Sequence, residues 1–341
     1  MFKKDKIANI WFQNWLTLNL LLVFSMIIIG GLTRLTDSGL SITEWELFKG
    51  ILPPMSEVSW NNYFESYKKI PQYELLNPNM TLGEFKIIYY WEYFHRVLGR
   101  IIGLSFLIPL IYFNFFSKIE KKYLFLCNLI FILILGQGLL GWYMVKSGLV
   151  NNVTVSHYRL SMHLTTAIII ISSIYWLLLN FKDKRNKTFF TFDKTNFPFI
   201  ILIFLIFLQI IFGAFVSGLD AGKIYQTWPK MGDAFFPNDL VIVNFLNFID
   251  FDNHSLVQFY HRSLAYFISI YITITAFYIF YKKIRKLFKY VLVVLIFLFI
   301  QISLGILTLT SGLNVYLASA HQISSILLVF STIKLYYFSI K

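Results

Sequence analysis

Apolar runs of roughly 20 residues recur eight times along this chain, near 15–34, 88–114, 123–145, 159–180, 197–218, 257–280, 288–309 and 315–338. That is the length a helix needs to cross a bilayer core. The chain is 57% hydrophobic and 14% charged, with a mean hydropathy of +0.65, far from the balance of a soluble protein. The expected fold class is therefore an all-α polytopic membrane protein with eight transmembrane helices. The first run begins late and seven more follow it, which argues against a cleaved secretory signal.

The net charge of +13 invites a nucleic-acid partner, and its distribution refutes one. With the amino terminus placed inside and the sides alternating, the inner segments hold 18 lysines and arginines, from Lys3, Lys4 and Lys6 to Lys334 and Lys341. Only four acids accompany them, Asp5, Glu120, Asp183 and Asp193, for a net +14 inside and −1 outside. This is the positive-inside pattern, with both termini cytoplasmic. The basic balance reports orientation. A single cysteine, Cys127, falls inside the third run and reads as apolar filler.

The chain repeats itself. Gly30 to Pro54 aligns with Gly213 to Pro237 at an offset of 183, pairing Asp37-Ser38-Gly39 with Asp220-Ala221-Gly222 and Trp45 with Trp228. Gln137, Gly141 and Ser147-Gly148-Leu149 align with Gln301, Gly305 and Ser311-Gly312-Leu313 at an offset of 164. Four helices form one unit and the unit occurs twice. Because four is even, both copies enter the membrane from the same side, giving two parallel-repeat four-helix bundles, 1–183 and 184–341. Two outer connections, 35–87 and 219–256, are long enough to be functional and are expected to cap the outer mouths of the bundles.

Four histidines follow the repeat. Glu92-Tyr93-Phe94-His95-Arg96 matches Gln258-Phe259-Tyr260-His261-Arg262, and Ser161-Met162-His163-Leu164 matches Ser319-Ala320-His321-Gln322. Each half offers two histidines near the outer starts of two helices running the same way. One imidazole on each face of a plane is the arrangement that grips a haem iron. A lone membrane histidine is more often hydrogen-bonded inside a bundle or part of a proton path; depth-matched pairs in both halves reverse that preference. A bare zinc site fits poorly, since no cysteine and few carboxylates approach these positions.

Arg96 and Arg262 directly follow a histidine, Arg100 lies one turn below Arg96, and Arg159 lies one turn above His163. Guanidinium forks are natural partners for haem propionates, against the plainer reading of snorkelling to lipid headgroups. Glu92 shares a helical face with His95, and its counterpart in the second half is Gln258. An acid near the bilayer is costly without a partner or a task. Arg96 is one available partner, yet the second half keeps the arginine without the acid. That asymmetry makes Glu92 the catalytic candidate, with His95 and His163 beside it. His157 and His254 have no counterparts in the other half and read as surface or loop residues. Most of the glycines at helix ends, including Gly30-Gly31, Gly213 and Gly305, are explained by close helix packing.

The stretch Gly30-Gly31-Leu32-Thr33-Arg34-Leu35-Thr36-Asp37-Ser38-Gly39-Leu40-Ser41, with Glu92-Tyr93-Phe94-His95-Arg96, Gly218-Leu219-Asp220-Ala221-Gly222, Tyr225-Gln226-Thr227-Trp228-Pro229 and His261-Arg262, resembles the haem A synthase family over essentially all eight helices. The resemblance implies oxidation of the C8 methyl of haem O to a formyl group through successive hydroxylations, giving haem A for terminal oxidases. It implies that His261 and His321 are axial ligands of a resident haem b; Arg262 and Arg96 are cofactor-binding candidates on the propionate argument above. His95 and His163 then match the substrate-haem site in the first half, and Glu92 its essential acid. The chain lacks the outer-loop cysteine pair of some bacterial members and so resembles the proteobacterial and mitochondrial branch. The absence of a presequence favours a bacterial inner membrane, with the haem sites toward the periplasm. Expected partners are haem O, the farnesyltransferase that makes it, membrane lipid and further copies of the chain, and no nucleic acid. The rival readings are a bis-histidine dihaem electron-transfer protein and a transporter built from parallel repeats.

Overall fold

In the computed structural model, which describes residues 2–44, 49–151, 153–193 and 195–340, the chain is helical throughout. Trp45, Lys194 and Lys341 lie outside the described residues, as do the side chains of Lys3, Lys4, Asp5 and Lys6. Among the described residues the only β feature is a single bridge between Met231 and Ala234. Eight helices are long and apolar enough to span a membrane, so the chain is a multi-pass membrane protein. They are α1 (Phe2–Leu35), α4 (Leu82–Phe116), α5 (Lys121–Asn151), α6 (His157–Asp183), α7 (Phe197–Gly218), α8 (His254–Tyr281), α9 (Phe288–Thr310) and α10 (Val315–Ser339). Two shorter helices, α2 (Glu57–Tyr67) and α3 (Pro71–Leu76), stand in the long connection before α4.

The fold divides into two compact units, Met1–Arg159 and Leu160–Lys341. Nearly all of α6 belongs to the second, where its aromatic face meets α10: Tyr175 lies 4.7 Å from Phe330, Trp176 stacks on Tyr336 at 5.7 Å, and the Tyr337 hydroxyl donates to the Leu179 carbonyl. The division at 183/184 read from the repeat is thus one of sequence halves, distinct from this division by packing.

In the first unit α4 packs between α1 and α5. Trp15 donates its indole N–H to the Ser105 carbonyl at 2.8 Å, and Ser105 in turn donates to Asn19. These polar pairs are set in a cluster of Phe12, Trp15, Phe106 and Phe113, which spares buried polar groups an unsatisfied state in lipid. At about 1.5 Å per residue, the 35 residues of α4 run to about 50 Å, well beyond a core of about 30 Å. Its first turns therefore stand clear of the bilayer. They begin at a capping box, in which Thr81 accepts from the Glu84 N–H and the Glu84 carboxylate accepts from the Thr81 N–H. There Phe85 and Tyr89 pack with Leu40, Ile42, Trp60, Phe64, Tyr67 and Ile70 into a cap core. Burying side chains of that size contributes about 1.5–3 kcal/mol each. The long connection is thus a folded cap, as its length suggested, and contains two helices that the sequence reading did not place.

In the second unit α7, α8, α9 and α10 close a ring, each packing on its neighbours in the order α7–α8–α9–α10–α7. Side-chain caps start α8 and α10: Asn253 accepts from the Leu256 N–H, and Asn314 from those of Tyr316 and Leu317. The far end of α10 is held by Lys187, whose ammonium donates to the Tyr337 and Ile340 carbonyls at 2.8 and 2.5 Å. Burial holds this amine below the usual lysine range, with Arg185 and Lys286 adding to the effect.

Candidate functional site

The second unit assembles one histidine pair. His261 lies seven residues into α8 and His321 six residues into α10, so both imidazoles stand about 10 Å from the same end of the ring. Both are partly exposed. Each lies against a glycine of the preceding helix. A Cβ on Gly213 would sit 3.1 Å from His261 Cε1, and one on Gly305 would sit 2.9 Å from His321 Cε1. Four residues before each glycine, on the same helical face, stands a glutamine. The Gln209 amide donates to the His261 carbonyl at 3.0 Å and lies 3.1 Å from Nδ1. His321 Nδ1 lies 3.1 Å from the Gln301 carbonyl, which fixes Nδ1–H as a donor and leaves the lone pair on Nε2. Ser324 donates to Gln301 Oε1, and the amide nitrogen of Gln301 faces His321 Nε2 at 3.3 Å.

Beside this pair, Arg262 donates through one nitrogen to three carbonyls of the α7–α8 connection, Thr227, Pro229 and Lys230, each at 3.0 Å. The Trp228–Pro229 peptide in that stretch is cis. The other terminal nitrogen, Nη1, is buried and has no hydrogen-bond partner among the described residues, and no carboxylate pairs with this guanidinium. A cation in that state lacks its counter-charge. Two imidazoles and an uncompensated guanidinium fit a haem: an iron held from both sides and a propionate on the arginine. Among the described residues no three His, Cys, Asp or Glu side chains cluster as a bare metal site would require.

In the first unit the arginine is neutralised. Glu92 is 3% exposed, and its Oε1 accepts from Arg96 Nε and Nη2 at 3.0 and 2.6 Å. Its Oε2 accepts from the Ser41 hydroxyl at 2.7 Å and the Ile42 N–H at 2.8 Å. Arg96 goes on to the Ile42 and Glu44 carbonyls. The repeat is obeyed to the residue. At the offset of 183, Ile42 matches Tyr225, whose carbonyl accepts from Gln258, and Glu44 matches Thr227, whose carbonyl accepts from Arg262. Both halves therefore tie the start of the long connection to the histidine helix at the same two backbone positions. The acid does so by accepting an N–H, the amide by donating to a C=O. The arginine that lacks an acid has carbonyls for anchors.

His95 repeats the glycine contact, since a Cβ on Gly30 would lie 2.9 Å from its Cε1. Packing between helices was the sequence reading of Gly30, Gly213 and Gly305; in the structure each is a seat for an imidazole. His163 lies six residues into α6, at the depth of His321 in α10. Arg159 lies over the Tyr143 ring at 4.7 Å, and Arg100 is partly exposed one turn below Arg96. His254, the first residue of α8, is exposed as expected. His157 is not a surface residue: it opens α6 at 6% exposure, its ring 4.0 Å from that of Tyr158. Cys127 is fully buried.

Sequence reading missed Ser41 and Ile42 as partners of Glu92, and Gln209 as a partner of His261. For Gln209 a signal existed: the Gln-x-x-x-Gly spacing occurs in both α7 and α9.

The chain matches the family COX15-CtaA, described as cytochrome oxidase assembly protein, over residues 13–333. It is 48% identical over 320 residues to a protein of Pelagibacter ubique named heme A synthase, covering 93% of each chain. It is 42% identical over 334 residues to one of the same name from Rickettsia felis, covering 96% of this chain and 97% of the other. A third of that name, from Flavobacterium psychrophilum, is 41% identical over 341 residues, at 95% and 97% coverage. With the whole membrane domain matched and the repeated histidine, arginine and glycine contacts inside the matched span, the chain belongs to the COX15-CtaA family of cytochrome oxidase assembly proteins.

Proposed function

We propose that this protein is a haem A synthase, a membrane oxidoreductase that converts the C8 methyl of haem O to a formyl group by two hydroxylations and loss of water, an external oxidant taking up the electrons removed. The names of near-full-length relatives support the overall reaction. The observation that carries the division of labour is the unequal treatment of the two arginines. Arg262, without a carboxylate, retains its charge for a propionate beside His261 and His321. Arg96, at the matching place, spends its charge on Glu92. In this reading residues 184–341 hold a resident haem b, with His261 and His321 as axial ligands and Arg262 on a propionate. Bound there, that haem supplies one-electron transfer.

The first half, 1–183, takes the substrate. His95, the repeat counterpart of His261, is a ligand of its iron, and Arg96 orients the acid beside it. Glu92, one helical turn from His95, accepts a proton as the methyl is oxidised. Its Oε2, held only by the Ser41 hydroxyl and the Ile42 N–H, is the oxygen with neutral neighbours and the side from which it acts. The site lies at the periplasmic edge of a bacterial inner membrane, and haem O reaches it from the farnesyltransferase that makes it.

The purified protein should carry low-spin haem b, and replacing His261 or His321 with alanine should abolish that spectrum. A colourless wild-type protein would overturn the reading in favour of a transporter.

A further inference from the structure

The two halves differ at one more place beside a histidine. Gln209 and Gly213 lie four residues apart on α7 and both touch His261. At the offset of 183 their counterparts are Met26 and Gly30, so the seat is kept and the amide is exchanged for a thioether. The neighbouring histidine shows why this matters. His321 gives its Nδ1–H to a backbone carbonyl, that of Gln301, an acceptor that no side-chain change removes. Among the described residues the polar group beside His261 Nδ1 is the side-chain amide of Gln209, whose nitrogen also lies 3.4 Å from Nε2.

An imidazole that binds iron through Nε2 must carry its proton on Nδ1, and that proton requires an acceptor. As it stands, the Gln209 amide donates to the His261 carbonyl and turns its nitrogen toward Nδ1, while its Oε1 is buried with no partner among the described residues. Half a turn of the amide brings that oxygen to Nδ1–H, giving up the donation to the His261 carbonyl in exchange. Met26 has a weak acceptor and no donor to offer at the corresponding place.

We propose that Gln209 is a positioning residue of the resident haem site, fixing His261 as an Nε2 ligand so that haem is retained, and that Met26 in its place leaves the first-half site able to exchange its haem. The inference rests on the proposed resident haem at His261 and His321. Outer-shell partners of this kind change metal affinity by about 10- to 100-fold when removed.

The test uses the full-length protein purified with haem b, mixed with excess apomyoglobin to follow haem loss, with low-spin EPR g-values as a second reading. Q209M should release haem about 10- to 100-fold faster than the wild type. Q209E, which keeps both the volume and an acceptor for Nδ1–H, should retain haem at the wild-type rate and shift the g-values toward a more strongly donating imidazole. Wild-type release from Q209M overturns the proposal. If Q209M does not accumulate, unshifted g-values in Q209E overturn it instead. The wild-type and H321A controls keep the two claims apart. Haem b spectra that survive H321A defeat the resident-haem reading, whereas spectra lost in H321A but indifferent to Gln209 defeat only this inference.

Discussion

Arg96 and Arg262 occupy matching positions and share one matching loop carbonyl, that of Glu44 or Thr227, but only Arg96 has an acid beside it, Glu92 where the other half has Gln258. At this scale the chemistry is decided by charge. Glu92→Gln keeps an acceptor for Arg96 but loses the charge, a change of about 1–3 kcal/mol in stability for a buried hydrogen-bonded group. The variant should fold and keep its haem b spectrum while haem A formation collapses. Normal haem A yield from it, measured in extracted pigment, would remove Glu92 from the reaction. The pairing of Glu92 with Arg96 was legible because i and i+4 share a helical face. The Ser41 and Ile42 contacts were not, since about 50 residues of folded cap separate them from Glu92 and no local pattern encodes such a closure.

Helices α7 and α9 each present a glutamine and a glycine to an imidazole, and the glycine sets how closely the ring approaches the backbone. Gly305→Ala separates packing from ligation. Alanine favours a helix by about 1 kcal/mol over glycine, yet its Cβ would lie 2.9 Å from His321 Cε1. Thermal stability should therefore hold or rise while the bis-imidazole spectrum is lost; an unchanged spectrum would mean that the ring is not seated there. The helices themselves were plain in the sequence, because apolar length is a local property. The cap helices α2 and α3 were not, since their few apolar residues find partners far along the chain, among them Leu40, Ile42, Phe85 and Tyr89.

The α7–α8 connection carries its own latch. Asp239 accepts from the hydroxyls of Tyr225 and Ser255. Burial works against its charged form, but those two hydrogen bonds prevail and hold the carboxyl below the usual aspartate range. A depressed folded value means that the contribution is complete above the ordinary value of about 3.9 and fades as pH falls through the lower one. Limited proteolysis of residues 219–253 should be unchanged between neutral and mildly acid pH and accelerate only in strong acid. Acceleration already at pH near 6 would show that another group controls the loop.

For the molecule as a whole, composition gives the membrane class and charge asymmetry an expected orientation. If the basic segments face inward, both termini are cytoplasmic, and reporters fused to either end should be active only as cytoplasmic fusions; an N-terminal fusion active outside would contradict that topology. The duplicated plan was read from four histidines and from the offsets of 183 and 164. The packing boundary at 159/160 was not, because the allegiance of α6 is written in aromatic contacts with α10 rather than in the repeat.

The most direct test is the pigment itself. Membranes from a host that makes haem O but no haem A, expressing this chain, should yield haem A on extraction and chromatography. Haem b and unconverted haem O alone, with two bis-imidazole haems per chain, would contradict the account and mark the protein as an electron carrier.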